Sequence, residues 1–136
     1  TLSASGKAGD FVILPGVIAL QPNAVFVRAG DDAWLDIVRW TVFALLDAED
    51  RGIVRNNAEL QLRNGPPAAR RLLGLPADDG KLLGLSGDWA YDVIRQVGNY
   101  GEIFERNLGQ ESPYKFPRGV TALWNRGGLM YPLPLR

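Results

Sequence analysis

The spacing of apolar and polar positions predicts that the chain is mostly helical from residue 31 onward. The segment DDAWLDIVRWTVFALLDAED, residues 31–50, carries apolar side chains at the three- and four-residue spacing of an α-helix. Asp31 or Asp32 can cap its N-terminus, and Gly52 can end it. The apolar positions form two neighbouring rows, which indicates that two flanks of this helix are covered by other polypeptide.

Phe43 is an aromatic residue within the charged stripe of the same helix. The charged positions of this stripe are Asp32, Asp36, Arg39, Asp47 and Asp50. One interpretation is that the ring lies under the aliphatic stem of Arg39 or under a later loop. The other is that Phe43 marks an interface with polypeptide outside this chain. The sequence leaves both interpretations open.

Shorter helices separated by turns are predicted after residue 52. Their approximate ranges are 57–63, 66–73, 89–97, 100–108 and 118–126. Asn56 or Asn57 can cap the first of them, and the second has a proline in its first turn and Gly74 at its end. The prolines of LMYPLPLR predict that the C-terminus is extended.

Strand signals are confined to two short runs near the N-terminus. Residues 11–14 and 25–27 are β-branched or aromatic and are bounded by proline, glycine and asparagine. Two strands offer too little sheet to cover the apolar helices, so we expect further polypeptide to pack on them. Their unpaired edges also predict a homo-oligomer formed by strand pairing or strand exchange.

Composition excludes several classes of function. Fifteen Lys and Arg residues balance 15 Asp and Glu residues, so the chain has no positive excess to bind nucleic acid. The chain has no Cys and no His, which removes thiolate nucleophiles, His-containing triads and most zinc sites. The longest uncharged run, residues 11–27, is interrupted by proline and glycine and is too short to insert in a membrane. We therefore do not expect an enzyme.

Two groups of acidic residues are candidates for chemistry. Asp47, Glu49 and Asp50 lie at the end of the long helix, but they lack the spacing of a calcium loop and predict a solvated helix end. Glu102 and Glu105 are three residues apart and predict a charged outer face beside Arg106. No catalytic residue, metal site or cofactor is predicted.

Whole segments resemble a known family. The strings VILPGVI, VRAGDDAWLDIVRWTVFALLDAED, GDWAYDVIRQVGNYGEIFERNLG and RGVTALWNRGGLMYPLPLR resemble, in this order, the C-terminal part of the general L-amino-acid-binding periplasmic proteins. These proteins are the solute-binding receptors of amino-acid ABC importers. The resemblance extends from about residue 9 to the end of the chain.

The resemblance implies an α/β fold that is predominantly helical in this stretch, the C-terminal portion of a type-II periplasmic-binding clamshell. Residues 1–23 would be a remnant of the second lobe, comprising its last strand and a loop. Residues 24–30 would be a strand that crosses the hinge, and residues 31–136 the C-terminal helical part of the first lobe.

The resemblance also implies a function without chemistry on the substrate. The receptor would bind L-amino acids non-covalently in the periplasm and deliver them to an ABC permease. The family's ligand contacts lie before Thr1, so no ligand-binding residue is assigned to this chain. The alternative is a self-contained helical protein-interaction module that binds no ligand and has Phe43 on its binding face.

Overall fold

The computed structural model describes residue 19, residues 23–76 and residues 79–133. The predicted strand at 11–14 lies outside these residues. The α-helices are α1 (Asp32–Asp50), α2 (Ala58–Asn64), α3 (Pro67–Leu72), α4 (Trp89–Val97) and α5 (Tyr100–Asn107). Short 3₁₀ helices span Asp79–Leu83, Gly119–Thr121 and Trp124–Arg126. The predictions of a long helix and of four shorter helices after it are confirmed.

The long helix begins and ends through its predicted signals. The Asp31 carboxylate accepts a hydrogen bond from the Trp34 N–H at 3.1 Å and so caps α1. Gly52 follows the last turn with φ of +66°, a conformation that glycine adopts without steric strain. The chain can therefore turn sharply from α1 into the loop that leads to α2.

The hydrophobic core lies between the second half of α1 and the helices α2, α3 and α4. Its fully buried side chains include Ile53, Leu73 and Ile94, and Trp89 is also buried. Within the described residues the helices thus cover one another without a sheet. The expectation that too little polypeptide is present to cover them is wrong for this half of α1.

The two halves of α1 differ in burial. All six of its buried residues fall between Ala44 and Glu49. From Asp32 to Phe43 every residue is half-buried or exposed, and Trp34 is 51% exposed. Only the first half of α1 therefore lacks the cover that the two apolar rows predict.

The predicted strand at residues 25–27 is not formed. Residues 23–28 have no regular secondary structure, and within the described part of the chain the one β-type pairing is the bridge between Leu123 and Met130. A strand requires a neighbour to which its backbone groups can bond, and the described residues offer none to this segment.

The predicted C-terminal helix is replaced by two 3₁₀ turns. Ala122 and Leu123, between the turns, have extended backbone, and the Leu123 side chain is fully buried. The Met130 N–H donates to the carbonyl of Ala122, and the Trp124 N–H donates to that of Met130. These bonds fold residues 118–130, hereafter the C-terminal segment, back on themselves, which is incompatible with one continuous helix.

Candidate functional site

An apolar groove runs along the uncovered half of α1. It has a volume of about 550 Å³. Its walls are formed by residues 23–25, Val27, the first half of α1, Tyr100 and Met130. The apolar side chains that line it include Val25, Val27, Leu35, Val38, Val42 and Phe43. Apolar surface collected in one concave place is the usual feature of a protein-binding site.

Phe43, for which the sequence leaves burial under Arg39 and an interface both open, lies in this groove. Its ring is half-buried and meets the Trp40 ring edge to face, with centroids 5.6 Å apart. Arg39 also lines the groove, so the two interpretations of Phe43 are not exclusive. Neighbouring residues cover the ring in part, and the remainder faces the open groove.

A buried ion pair joins α1 to the C-terminal segment. The guanidinium of Arg118 donates two hydrogen bonds to the Glu49 carboxylate, at 3.0 and 3.1 Å. The Glu49 side chain is 5% exposed and that of Arg118 is 17% exposed. A bidentate pair of this kind fixes both the distance and the orientation of the two groups.

Aromatic rings and a backbone carbonyl complete the surroundings of Arg118. Its guanidinium carbon lies 5.4 Å from the ring centre of Tyr100 and 5.1 Å from that of Phe104. It also donates to the carbonyl of Thr121 at 2.9 Å. Since Tyr100 lines the groove as well, the ion pair and the groove share a wall, and Arg118 holds that wall in place.

Gly101 allows the helix α5 to approach this ion pair closely. A β-carbon at this position would lie 3.1 Å from an Arg118 nitrogen and 3.1 Å from the Glu49 carboxylate. An alanine here would require the ion pair to shift by a few tenths of an ångström.

The acidic end of α1 is largely buried, contrary to the predicted solvated helix end. Asp47 is 3% exposed and Glu49 is 4% exposed. Asp47 accepts a hydrogen bond from Arg51 at 2.9 Å, and Asp50, which is exposed, accepts one from Asn125. Burial is tolerated because each buried carboxylate has a cationic partner.

Glu102 and Glu105 were predicted as a charged outer face, and in the structure both carboxylates also accept hydrogen bonds from backbone N–H groups. Glu102 accepts hydrogen bonds from the backbone N–H of Asn99 and of Arg55, and the Asn99 side chain caps α5 in return. Glu105 accepts from the Gln110 N–H. Both carboxylates thus fix the local backbone, and they line an open polar cleft of about 620 Å³.

A cluster of potential metal ligands and a membrane-spanning helix are both missing from the described residues. In residues 23–76 and 79–133 no three acidic side chains gather as a metal site would require. Among the helices described here, none has the length and apolar character needed to cross a bilayer.

Comparison with known proteins identifies relatives over nearly the whole chain. No protein-family model matches the sequence. The general L-amino acid-binding periplasmic protein AapJ of Rhizobium johnstonii is 51% identical over an alignment of 130 residues, and the match covers 93% of this chain and 38% of AapJ. The glutamate/glutamine/aspartate/asparagine-binding protein BztA of Rhodobacter capsulatus is 47% identical over 131 residues, 96% of this chain and 39% of BztA.

A solved structure agrees with these relatives. An ABC transporter periplasmic binding protein from Brucella ovis with glutathione bound superimposes with a TM-score of 0.86 at 51% identity. The superposition covers 92% of this chain and 40% of that protein. The predicted fold class, the helical C-terminal portion of a periplasmic-binding clamshell, is thereby confirmed.

The names of these relatives describe binding proteins, and the chain spans about two fifths of their length. The chain is about half identical to these relatives over more than nine tenths of its length, and it superimposes on the solved one. The chain belongs to the amino-acid-binding periplasmic proteins of the ABC solute-binding family, of which it represents a part.

Proposed function

We propose that this chain forms part of the substrate-binding component of an amino-acid ABC importer. The whole receptor binds L-amino acids non-covalently in the periplasm and delivers them to the permease, without an enzymatic step or a cofactor. The observation that carries this proposal is the 51% identity with AapJ over 93% of the chain.

The division of the chain follows from the same proposal. Residues 1–23 belong to the second lobe, residues 24–30 pass through the hinge, and residues 31–136 complete the first lobe. The lack of regular secondary structure in residues 23–28 is compatible with a hinge segment, because a crossing strand gains its neighbour only when the rest of the receptor is present.

The chain supports a binding cleft, and the residues that line this cleft come from other parts of the receptor. The described hollows are open grooves, and at the polar cleft the side chains of Glu49, Arg118 and Glu102 are engaged in ion-pair and capping contacts within the chain. We therefore expect the 136-residue chain by itself to bind no free amino acid.

A chimera tests the proposal. The 136 residues replace the matching stretch of AapJ, and isothermal titration measures the binding of a mixture of L-amino acids. We expect the chimera to bind with an affinity within about tenfold of AapJ itself, because the cleft residues are supplied by AapJ and only their support is exchanged. AapJ is the positive control, and the 136-residue chain is expected to give no heat of binding.

A correctly folded chimera that binds no amino acid would contradict the proposal. That result would favour the second candidate, a self-contained helical interaction module. The closed core between α1, α2, α3 and α4 is the observation in favour of that alternative.

A further inference from the structure

We propose that the C-terminal segment is a strap that opens from the helices as one unit while the core stays folded. Glu49 and Asp50, the last two residues of α1, form the latch that holds this strap closed. Opening separates residues 118–130 from α1 and α5 and leaves the packing among α1, α2, α3 and α4 intact.

The backbone hydrogen bonds of the C-terminal segment lie within the segment itself. The Leu129 N–H donates to the carbonyl of Val120, and the Gly128 N–H donates to that of Leu123. In the part of the chain that the structure describes, no backbone hydrogen bond joins residues 118–130 to a helix. Separation from the helices therefore breaks no backbone hydrogen bond, and the internal bonds form one connected set, as expected of a cooperative unit.

The polar side-chain contacts of the C-terminal segment with the helices converge on the latch. Arg118 donates two hydrogen bonds to Glu49, and an Arg126 nitrogen lies 3.7 Å from the same carboxylate. The Asn125 side chain donates to Asp50 at 2.9 Å. Among the described residues, these are the hydrogen bonds and ion pairs that join residues 118–130 to a helix. Because they end on two neighbouring residues, they can be lost in a single step.

Little apolar surface holds the C-terminal segment in place. Ala122 and Leu123 are its buried residues, whereas Trp124 is 56% exposed and Leu129 is 68% exposed. The free energy gained from burial is roughly proportional to the apolar area removed from water. We therefore expect opening of the segment to require much less free energy than opening of the core.

The apolar contacts near the strap are separate from the core. Phe104 and Leu123 are buried, yet neither belongs to the cluster of side chains between α1, α2, α3 and α4. The Arg118 guanidinium covers the Phe104 ring, with its carbon 5.1 Å from the ring centre. Opening thus uncovers Phe104 and exposes Leu123, and the side chains of the core keep their neighbours.

Both hollows described above share a wall with the C-terminal segment. Arg118 and Arg126 line the polar cleft, and Met130 lines the apolar groove. Opening of the strap removes one wall from each hollow at the same time. The shape of the cleft and of the groove therefore depends on whether the latch is closed.

Hydrogen exchange of the 136-residue chain at several low urea concentrations tests the proposal. We expect the amide protons bonded within the C-terminal segment, those of Trp124, Gly128, Leu129 and Met130, to exchange at least about tenfold faster than those of α4. Urea should accelerate their exchange less than that of α4, because opening of the strap exposes less surface than unfolding of the core. Equal rates and an equal dependence on urea would overturn the proposal, since the segment would then open only with the whole chain.

A core variant shows whether the strap opens apart from the core. Ile94→Val trims a fully buried side chain of the core, and we expect the amides of α4 to exchange about fivefold faster. Exchange in the C-terminal segment should stay unchanged, because the core remains folded when the strap opens. An equal acceleration in the segment and in α4 would overturn the proposal.

Two latch variants and one control test the role of Glu49 and Asp50. Arg118→Lys keeps the charge but loses the bidentate contact, and we expect about tenfold faster exchange in the C-terminal segment. Asn125→Ala removes the contact with Asp50, should accelerate exchange about threefold, and remains informative if Arg118→Lys does not fold. Arg63→Gln, at an exposed ion pair on α2, is the control and should leave exchange in the segment unchanged. Circular dichroism verifies the helices of each variant. A folded variant of Arg118 or Asn125 whose segment exchanges as in the original chain would overturn the assigned latch.

Discussion

Glu49 and Arg118 join two parts of the chain that lie 69 residues apart in sequence. Their ion pair is largely withdrawn from water, and aromatic rings rather than solvent surround the cation. At a buried position the intact pair adds little net stability to the fold. Removing one of its two charges strongly destabilises the fold, because the remaining charge is then buried without a partner.

Replacement of Glu49 by glutamine tests this at the scale of one residue. Glu49→Gln keeps the shape of the side chain but leaves the Arg118 guanidinium without its countercharge. We expect a loss of about 3 kcal/mol in the free energy of unfolding, measured by urea denaturation followed by circular dichroism. The matched control is Glu59→Gln, since the Glu59–Arg63 pair is 63% and 72% exposed.

The control should change stability by less than about 0.5 kcal/mol. Equal effects of the two substitutions would show that burial of the Glu49–Arg118 pair has no energetic consequence. The comparison separates burial from charge, because both variants remove one carboxylate of an ion pair.

The sequence could not predict the burial of these acids. Asp47, Glu49 and Asp50 lie in an unfavourable place for the helix dipole, and nothing within a few residues of Glu49 signals a distant cation. Phe43 stands out in the sequence because an aromatic ring in a charged stripe is locally anomalous, and its role as an interface stays a prediction. Pairing across 69 residues has no local signal, so only the fold reveals it.

At the scale of the elements, the turn between α3 and α4 depends on Gly74. Its φ is +102°, and a β-carbon there would lie 2.5 Å from the carbonyl oxygen of Gly87. Gly84 also has a positive φ, of +70°, but a β-carbon there would meet nothing within 4 Å. The two glycines share a backbone requirement and differ in the space around them.

Alanine at each position separates the two effects. We expect Gly84→Ala to destabilise by about 1 kcal/mol through backbone strain alone. Gly74→Ala combines strain with a backbone clash and should lower the melting temperature more, with a loss of about 3 kcal/mol. Melting curves followed by circular dichroism measure both, and equal melting temperatures would contradict the role of the close contact with Gly87.

The helices were predictable because their signals are local. Capping by Asp31, the proline in the first turn of α3 and glycines at helix ends all act within one turn. The strand at 25–27 and the last helix were predicted wrongly, since both depend on distant partners. The strand has no neighbour in the described residues, and burial of Leu123 divides the final helix.

At the scale of the whole molecule, α1 belongs to two environments. Its second half lies in the core, and its first half borders the groove. We expect the amide protons of residues 34–43 to exchange with solvent at least about tenfold faster than those of residues 44–50, because local opening of the first half exposes little additional apolar surface.

Hydrogen exchange followed by mass spectrometry or NMR measures this difference, and the amides of α4 provide an internal reference for a helix within the core. Uniform protection along α1 in the free chain would show that the first half is already covered.

The continuity of α1 has a consequence for motion. Neither proline nor glycine interrupts the 19 residues from Asp32 to Asp50, a rod of about 28 Å. A helix without such a break has no built-in hinge at its middle, so whatever binds along its folded first half is expected to move with the core around its second half. In a receptor whose two lobes close on a solute, the helical part would move as a rigid body with one lobe. The bending would then take place outside α1.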